Sequence, residues 1–202
     1  VDLNKNNLTA YFTHTDVEPI GSVETSNNLI NKIWDATNKA YLSNLFGYPT
    51  DCPQREKNGW TGDAHTVIET ALFNFDGILV YEKWMDDHRD EQQIDGTLPS
   101  IIPTAGWGYS WGNGPDWTSS MILVPWNVYK FYGDTRILEE NYENMRRYVS
   151  KIKSVSKNNL TSWGLGDWVP VKSKSNLEFT SSIFYYTDVL LISKIAKILG
   201  HN

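Results

Sequence analysis

The residues best suited to chemistry are gathered in one stretch, Asp51-Cys52-Pro53-Gln54-Arg55-Glu56-Lys57-Asn58-Gly59-Trp60-Thr61-Gly62-Asp63-Ala64-His65. Asp51, Glu56 and Asp63 stand close together, beside Arg55 and Trp60. Ionised carboxylates accept several strong hydrogen bonds, so three of them on one loop suit a hydroxyl-rich ligand, with Arg55 able to hold one in place. Crowded acids also suit proton transfer: like-charge repulsion and aromatic walls raise a carboxyl's pKa, and a general acid must keep its proton near neutrality. The plain alternative is a solvated turn between helices with Asp63 as an N-cap. Trp60, bracketed by Gly59 and Gly62, speaks against a merely solvated turn.

Nine Trp and eleven Tyr in 202 residues form a surplus that suggests a ring-lined concavity, since each buried indole N–H needs a partner. Sugar rings, with apolar C–H faces and polar hydroxyls, are natural ligands for such a site; an aromatic core is the alternative. Lys plus Arg is 18 against 24 Asp plus Glu, a net charge of −6 without a basic stripe. That argues against nucleic acid and against anionic membrane surfaces as partners. The longest apolar run, from Met121 to Trp126, is far below the roughly 20 residues of a membrane span. No signal-peptide pattern is visible at Val1, and the compartment is left open. The single Cys52 rules out an internal disulfide and a Cys-based zinc cluster. His65 and His88 share no metal-ligand spacing with it, and no Lys-Ser/Thr pair follows the loop glycines as in a phosphate loop. Neither metal nor cofactor is expected. Cys52 reads as an inert thiol, His65 as a structural histidine, and Asp86, Asp87, Asp90 and Glu91 as a solvated helix face.

The elements that must position these residues are mostly helical. Residues 1–22 read as an incoming strand or linker arm from a preceding domain, with strand plus connection from Leu8 to Glu18; residues 23–202 read as one helical domain. Helical spacing predicts a first helix capped by Ser26 and ended by Gly47, a second over 63–75, and a third capped by Asp76. A fourth over 118–132 contains Pro125, a fifth over 135–155 carries a possible break near Glu140 or Asn141, and a last covers 180–199. Two long loops join them. Residues 94–117 carry Trp107, Trp111, Asp116 and Trp117, and residues 156–179 carry Gly166, Asp167 and Trp168. An all-α array with its long loops at one end is the simplest architecture.

The 51–56 stretch, followed by Gly59-Trp60-Thr61-Gly62-Asp63-Ala64, resembles the catalytic domain of the α-L-rhamnosidases of glycoside hydrolase family 78. The likeness continues in order through Asp95-Gly96, Pro99, Pro115-Asp116-Trp117, Pro125-Trp126, Tyr132-Gly133-Asp134 and Gly166-Asp167-Trp168. The resemblance implies an all-α six-hairpin (α/α)6 barrel, here about half of it, and removal of terminal α-L-rhamnose with inversion from a rhamnose-containing oligosaccharide or glycoside. It implies that Asp51 and Asp63 hold rhamnose hydroxyls and that Glu56 is the general acid, with Asp116 as second candidate. It also implies that Trp60, Trp117 and Trp168 pack on the sugar; Trp107 and Trp111 are expected in the same wall, with Asp167 nearby.

An inverting glycosidase needs a second carboxylate to activate water. In the resembled family that base lies in a late barrel segment, so the chain alone is expected to be inactive. Twelve helices of about 11–12 residues with long connections need well over the 202 residues present. A partial barrel would leave apolar faces open, through which copies could associate. A non-catalytic carbohydrate-binding helical module is the alternative reading.

Overall fold

The computed structural model describes residue 5, residues 7–104 and residues 106–201. In chain order the elements are β1 (Glu18–Pro19), α1 (Asn28–Ser43), α2 (Thr61–Asn74), β2 (Phe75–Asp76), α3 (Ile78–Glu91), α4 (Pro115–Thr118), α5 (Ser120–Tyr132), α6 (Arg136–Val155) and α7 (Leu177–Ile198). Helix α5 is the hub and packs against α2, α3, α6 and α7. The reason lies in its composition. Met121, Ile122, Val124 and Val128 leave no surface exposed, and they join Ile68 and Leu72 of α2, Trp84 and Met85 of α3, Leu138 and Tyr148 of α6, and Ile195 of α7 in one core. Burying such side chains contributes roughly 1.5–3 kcal/mol each.

The edges are less covered. Helix α1 packs on α2 but leaves Leu29, Ile30 and Ile33 exposed, and α7 leaves Phe179, Ile183, Tyr186 and Leu190 exposed. The result is part of an (α/α)6 barrel.

Several boundaries differ from the sequence pattern for local reasons. The cap of α1 is Asn27, whose side chain accepts from Leu29 N–H at 2.9 Å, because Thr25 and Asn31 close the preceding turn and leave Ser26 outside it. Helix α2 begins at Thr61, whose N–H is taken by the Ser100 carbonyl at 2.9 Å. Asp63 therefore sits in the first turn and is not the cap. Gly77 precedes α3, while Asp76 belongs to β2 and accepts from the Tyr132 hydroxyl at 2.9 Å. Pro115 opens a separate single turn, α4, ahead of α5. Helix α6 runs unbroken through Glu140 and Asn141, because buried Asn141 is satisfied: its amide donates to Ile137 O (2.7 Å) and accepts from Arg89 (3.0 Å). Asn176 caps α7.

Of the stretch from Leu8 to Glu18, only Glu18 has strand geometry, pairing with Pro19 against β2. A strand needs a partner edge, and Phe75–Asp76 offers only two residues. The preceding segment is tied to the helices instead, through Thr15 N–H to Leu45 O at 2.7 Å and the buried Val17.

The connection between α3 and α4 is pinned at depth. The fully buried Trp84 donates its indole N–H to Ile102 O at 2.8 Å. Glu91, read from sequence as solvated, accepts from the Tyr109 hydroxyl (2.9 Å) and Thr104 N–H (3.2 Å), which anchors the Trp-rich loop. Replacing Trp84 with Phe orphans a buried carbonyl. Chemical denaturation of Trp84→Phe should show a loss of about 1–3 kcal/mol; an unchanged midpoint would mean the carbonyl finds another donor.

Candidate active site

The acid-rich loop is held by backbone pairing with the Trp-rich loop. Trp60 and Ile101 form an isolated antiparallel bridge, Gly59 O accepts from Ile102 N–H at 2.9 Å, and Thr61 N–H donates to Ser100 O at 2.9 Å. A Cβ on Gly59 would fall 2.1 Å from Ile102 O, so only glycine permits this approach. Upstream, Asn58 N–H donates to Asp51 Oδ1 (3.0 Å), and Asp51 N–H donates to Asn58 O (3.1 Å). Cys52 fills the loop: its thiol donates to Asp51 Oδ2 (2.7 Å) and accepts from Glu56 N–H (3.2 Å). The Glu56 carboxylate is aimed by Trp60, whose indole N–H donates to Oε2 at 2.7 Å. Arg55 comes only within 4.0 Å of Glu56 Oε1, with its side chain 76% exposed.

These groups open onto a cavity of about 790 Å³ lined by Asp51, Glu56, Asp63, Trp60, Trp117 and Trp168, and also by Asp116 and Asp167. Trp117 lies flat on the start of α2, where a Cβ on Gly62 would come within 2.7 Å of the indole. Trp168 meets Trp117 at 6.3 Å between ring centroids. Trp107 and Trp111 flank Trp60 at 6.0 and 5.7 Å, and Trp111 reaches Trp168 at 6.5 Å. They support the wall from outside and are absent from the cavity lining.

Asp116 is buried and accepts from Gly166 N–H through Oδ2, which ties the second long loop to α4. Asp167 Oδ2 accepts from the N–H and hydroxyl of Ser175, at 3.2 and 3.0 Å.

The lining also includes residues that the sequence reading did not assign to the site, among them His65 and Phe184. His65 lies three residues past Gly62 on α2 and donates through Nε2 to Asp116 O at 3.0 Å, while Phe184 of α7 packs on its ring at 5.6 Å. The His65 position follows from helical spacing; nothing local marks Phe184.

Electrostatics single out Asp63. Although the residue keeps exposed surface, desolvation by the surrounding cavity walls, then the charge of Asp51, and more weakly that of Glu56 push its pKa up to about 6, against the pull of its own backbone N–H. Burial also raises Asp116, partly offset by the Gly166 and neighbouring backbone N–H donors. Burial lowers His65, so the ring that donates to Asp116 O is neutral. Among the described residues no group of three His, Cys, Asp or Glu side chains is arranged to hold a metal ion. No helix among them is long and apolar enough to cross a membrane.

Residues 18–202 match the model of the bacterial alpha-L-rhamnosidase 6 hairpin glycosidase domain. The chain belongs to that family. It is 30% identical over 210 residues to an alpha-L-rhamnosidase of Alteromonas sp. (strain LOR), which covers 98% of this chain and 23% of that protein. It superposes on the alpha-L-rhamnosidase structure from Dictyoglumus thermophilum with a TM-score of 0.87 and 41% identity, covering 93% of this chain and 22% of that one. The Streptomyces avermitilis alpha-L-rhamnosidase complexed with L-rhamnose gives a TM-score of 0.89 at 26% identity, covering 94% and 18%. This domain thus spans roughly a fifth to a quarter of its relatives' length. The resemblance read from the 51–64 motif and the six-hairpin fold both hold.

In this rhamnosidase-family domain, Asp63 should titrate near pH 6 when followed by carboxyl carbon NMR. Asp51→Asn should lower that midpoint more than Glu56→Gln does, because Asp51 is the stronger charge acting on it. The sign for stability follows. The native state keeps this proton to higher pH than the unfolded chain, so stability falls as pH rises from about 4 to about 6. Asp63→Asn should flatten that fall.

Proposed function

We propose that these residues form the sugar-binding and acid side of a glycosidase site that removes terminal α-L-rhamnose from rhamnosides with inversion, as part of a longer protein. The observation that carries it is the convergence of Asp51, Glu56 and Asp63 with Trp60, Trp117 and Trp168 on one cavity. Asp51 and Asp63 accept from sugar hydroxyls, and the indoles cover the apolar faces and the methyl group. Glu56, held at Oε2 by the Trp60 N–H, presents its other oxygen to the leaving group and donates the proton. Arg55 lends positive charge at the rim.

Inversion requires a carboxylate about 6.5–9.5 Å from the acid to activate water. Of the remaining carboxylates of the cavity, Asp51 is bonded by Asn58 and Cys52, Asp116 by Gly166 and Asp167 by Ser175, while Asp63 is assigned here to the sugar hydroxyls. The base therefore comes, in this proposal, from chain outside these 202 residues, and the isolated chain binds sugar without turnover. The open faces of α1 and α7 are the surfaces through which isolated chains would associate, which light scattering checks.

One observation supports a second assignment. The raised pKa of Asp63 would let it hold a proton near pH 6, which makes it the alternative donor. In the full-length parent, Glu56→Gln should lower kcat/KM by about 10²–10⁴ on rhamnosides with poor leaving groups, and far less on activated aryl rhamnosides. Asp63→Asn should mainly raise KM. The opposite pattern would assign the acid to Asp63. Calorimetry of the 202-residue chain with L-rhamnose should show binding and no hydrolysis; released rhamnose from an unlinked rhamnoside would place a base within it.

A further inference from the structure

Three consecutive hydroxyl residues, Thr118, Ser119 and Ser120, join α4 to α5, and none has any exposed surface. Each is bonded to a different helix. The Thr118 hydroxyl donates to Gly114 O at 2.8 Å, so the Tyr148 hydroxyl of α6, 2.9 Å away, must be the donor to Thr118. Ser119 donates to Asp188 Oδ2 of α7 at 2.7 Å. Ser120 donates to His88 Nε2 of α3 at 2.9 Å, because His88 spends its own N–H at Nδ1 on Trp84 O. The partners Tyr148, Asp188 and His88 are likewise fully buried.

Ordinary core packing does not require this. Apolar contacts hold a helix at a distance but barely resist its rotation, whereas hydrogen bonds are directional. A four-residue helix such as α4 has too few internal bonds to hold its own orientation. Yet α4 carries Asp116 and Trp117, which line the cavity, and a rotation about its axis would swing both out of it.

We propose that Thr118 and Ser119 are positioning residues for the sugar pocket: bonded to Tyr148 and Asp188, they fix the rotation of α4 and so the placement of Trp117 and Asp116. This rests on the reading that the cavity receives rhamnose. Among the described residues no cation pairs with Asp188, burial holds its carboxyl well above the usual range, and an asparagine would keep an acceptor oxygen for the Ser119 hydroxyl.

The test uses the 202-residue chain, with Thr118→Val and Ser119→Ala as separate variants and Asp188→Asn as the conservative one. Denaturation midpoints, the Trp117 indole N–H resonance and L-rhamnose titration are measured on each. Thr118→Val and Ser119→Ala should move the Trp117 resonance and weaken rhamnose roughly tenfold, the scale of one lost buried hydrogen bond. Asp188→Asn should leave both within about twofold of the parent chain. Lower midpoints with an unmoved Trp117 resonance and unchanged affinity would overturn the proposal and leave these hydroxyls as plain core bonds. If one variant does not fold, the other decides. If the parent chain does not bind L-rhamnose, the sugar reading fails, while the Trp117 resonance still decides the positioning.

Discussion

The site depends on one close backbone contact. Gly59 lies against the Ile102 carbonyl at a distance no side chain would allow, and that contact sets Trp60 opposite Ile101 and starts α2 at Thr61. What is upstream of it, the loop bearing Asp51 and Glu56, closes on itself through Asn58. What is downstream, Gly62 and Asp63, takes its direction from the first turn of α2. On the far side, Ile102 is itself anchored by the buried Trp84. The carboxylates are therefore referenced to the hydrophobic core through one short chain of bonds: Trp84 to Ile102, Ile102 to Gly59, Trp60 to Glu56. Preorganisation of this kind is what charged groups need if they are to act without first rearranging.

The cavity wall repeats the logic with aromatic groups. Trp117 rests on Gly62, Trp168 on Trp117, and Trp111 on both Trp60 and Trp168. Two long loops with no regular structure of their own are thus held by rings that touch across the site. The polar side is equally interlocked, since Asp116 joins the second loop to α4 while its carbonyl steadies His65 on α2.

Much of this was legible in the residues. The 51–64 motif located the acid loop, and the Trp-bearing segments around residues 107–117 and 168 were identified as wall. Helical periodicity found six of the seven helices among the described residues, missing α4, whose single turn is too short to show a period. What escaped was set by contacts between distant segments. The start of α2 was misplaced because Ser100, far along the chain, takes the Thr61 N–H. Glu91 read as solvated because its partner Tyr109 lies in a loop without periodicity. Phe184 carries no local sign of the cavity, since the packing of α7 against α4, α5 and α6 brings it there. The separation of Trp107 and Trp111 from the cavity proper follows from three-dimensional ring packing, which composition alone does not encode.

The pairing of residue 60 with 101, of 116 with 166, and of 65 with 184 has a consequence for the order of assembly. Contacts so distant along the chain close late, after the local helices have formed, because each must overcome the entropy of the intervening loop. During synthesis the acid loop is made early but lacks its lower wall until Ile101 and Ile102 emerge, and its far wall until α7 does. A ribosome-bound chain ending before residue 184 would carry all five acids that line the cavity and no finished wall, so the cavity is completed only after α7 has emerged.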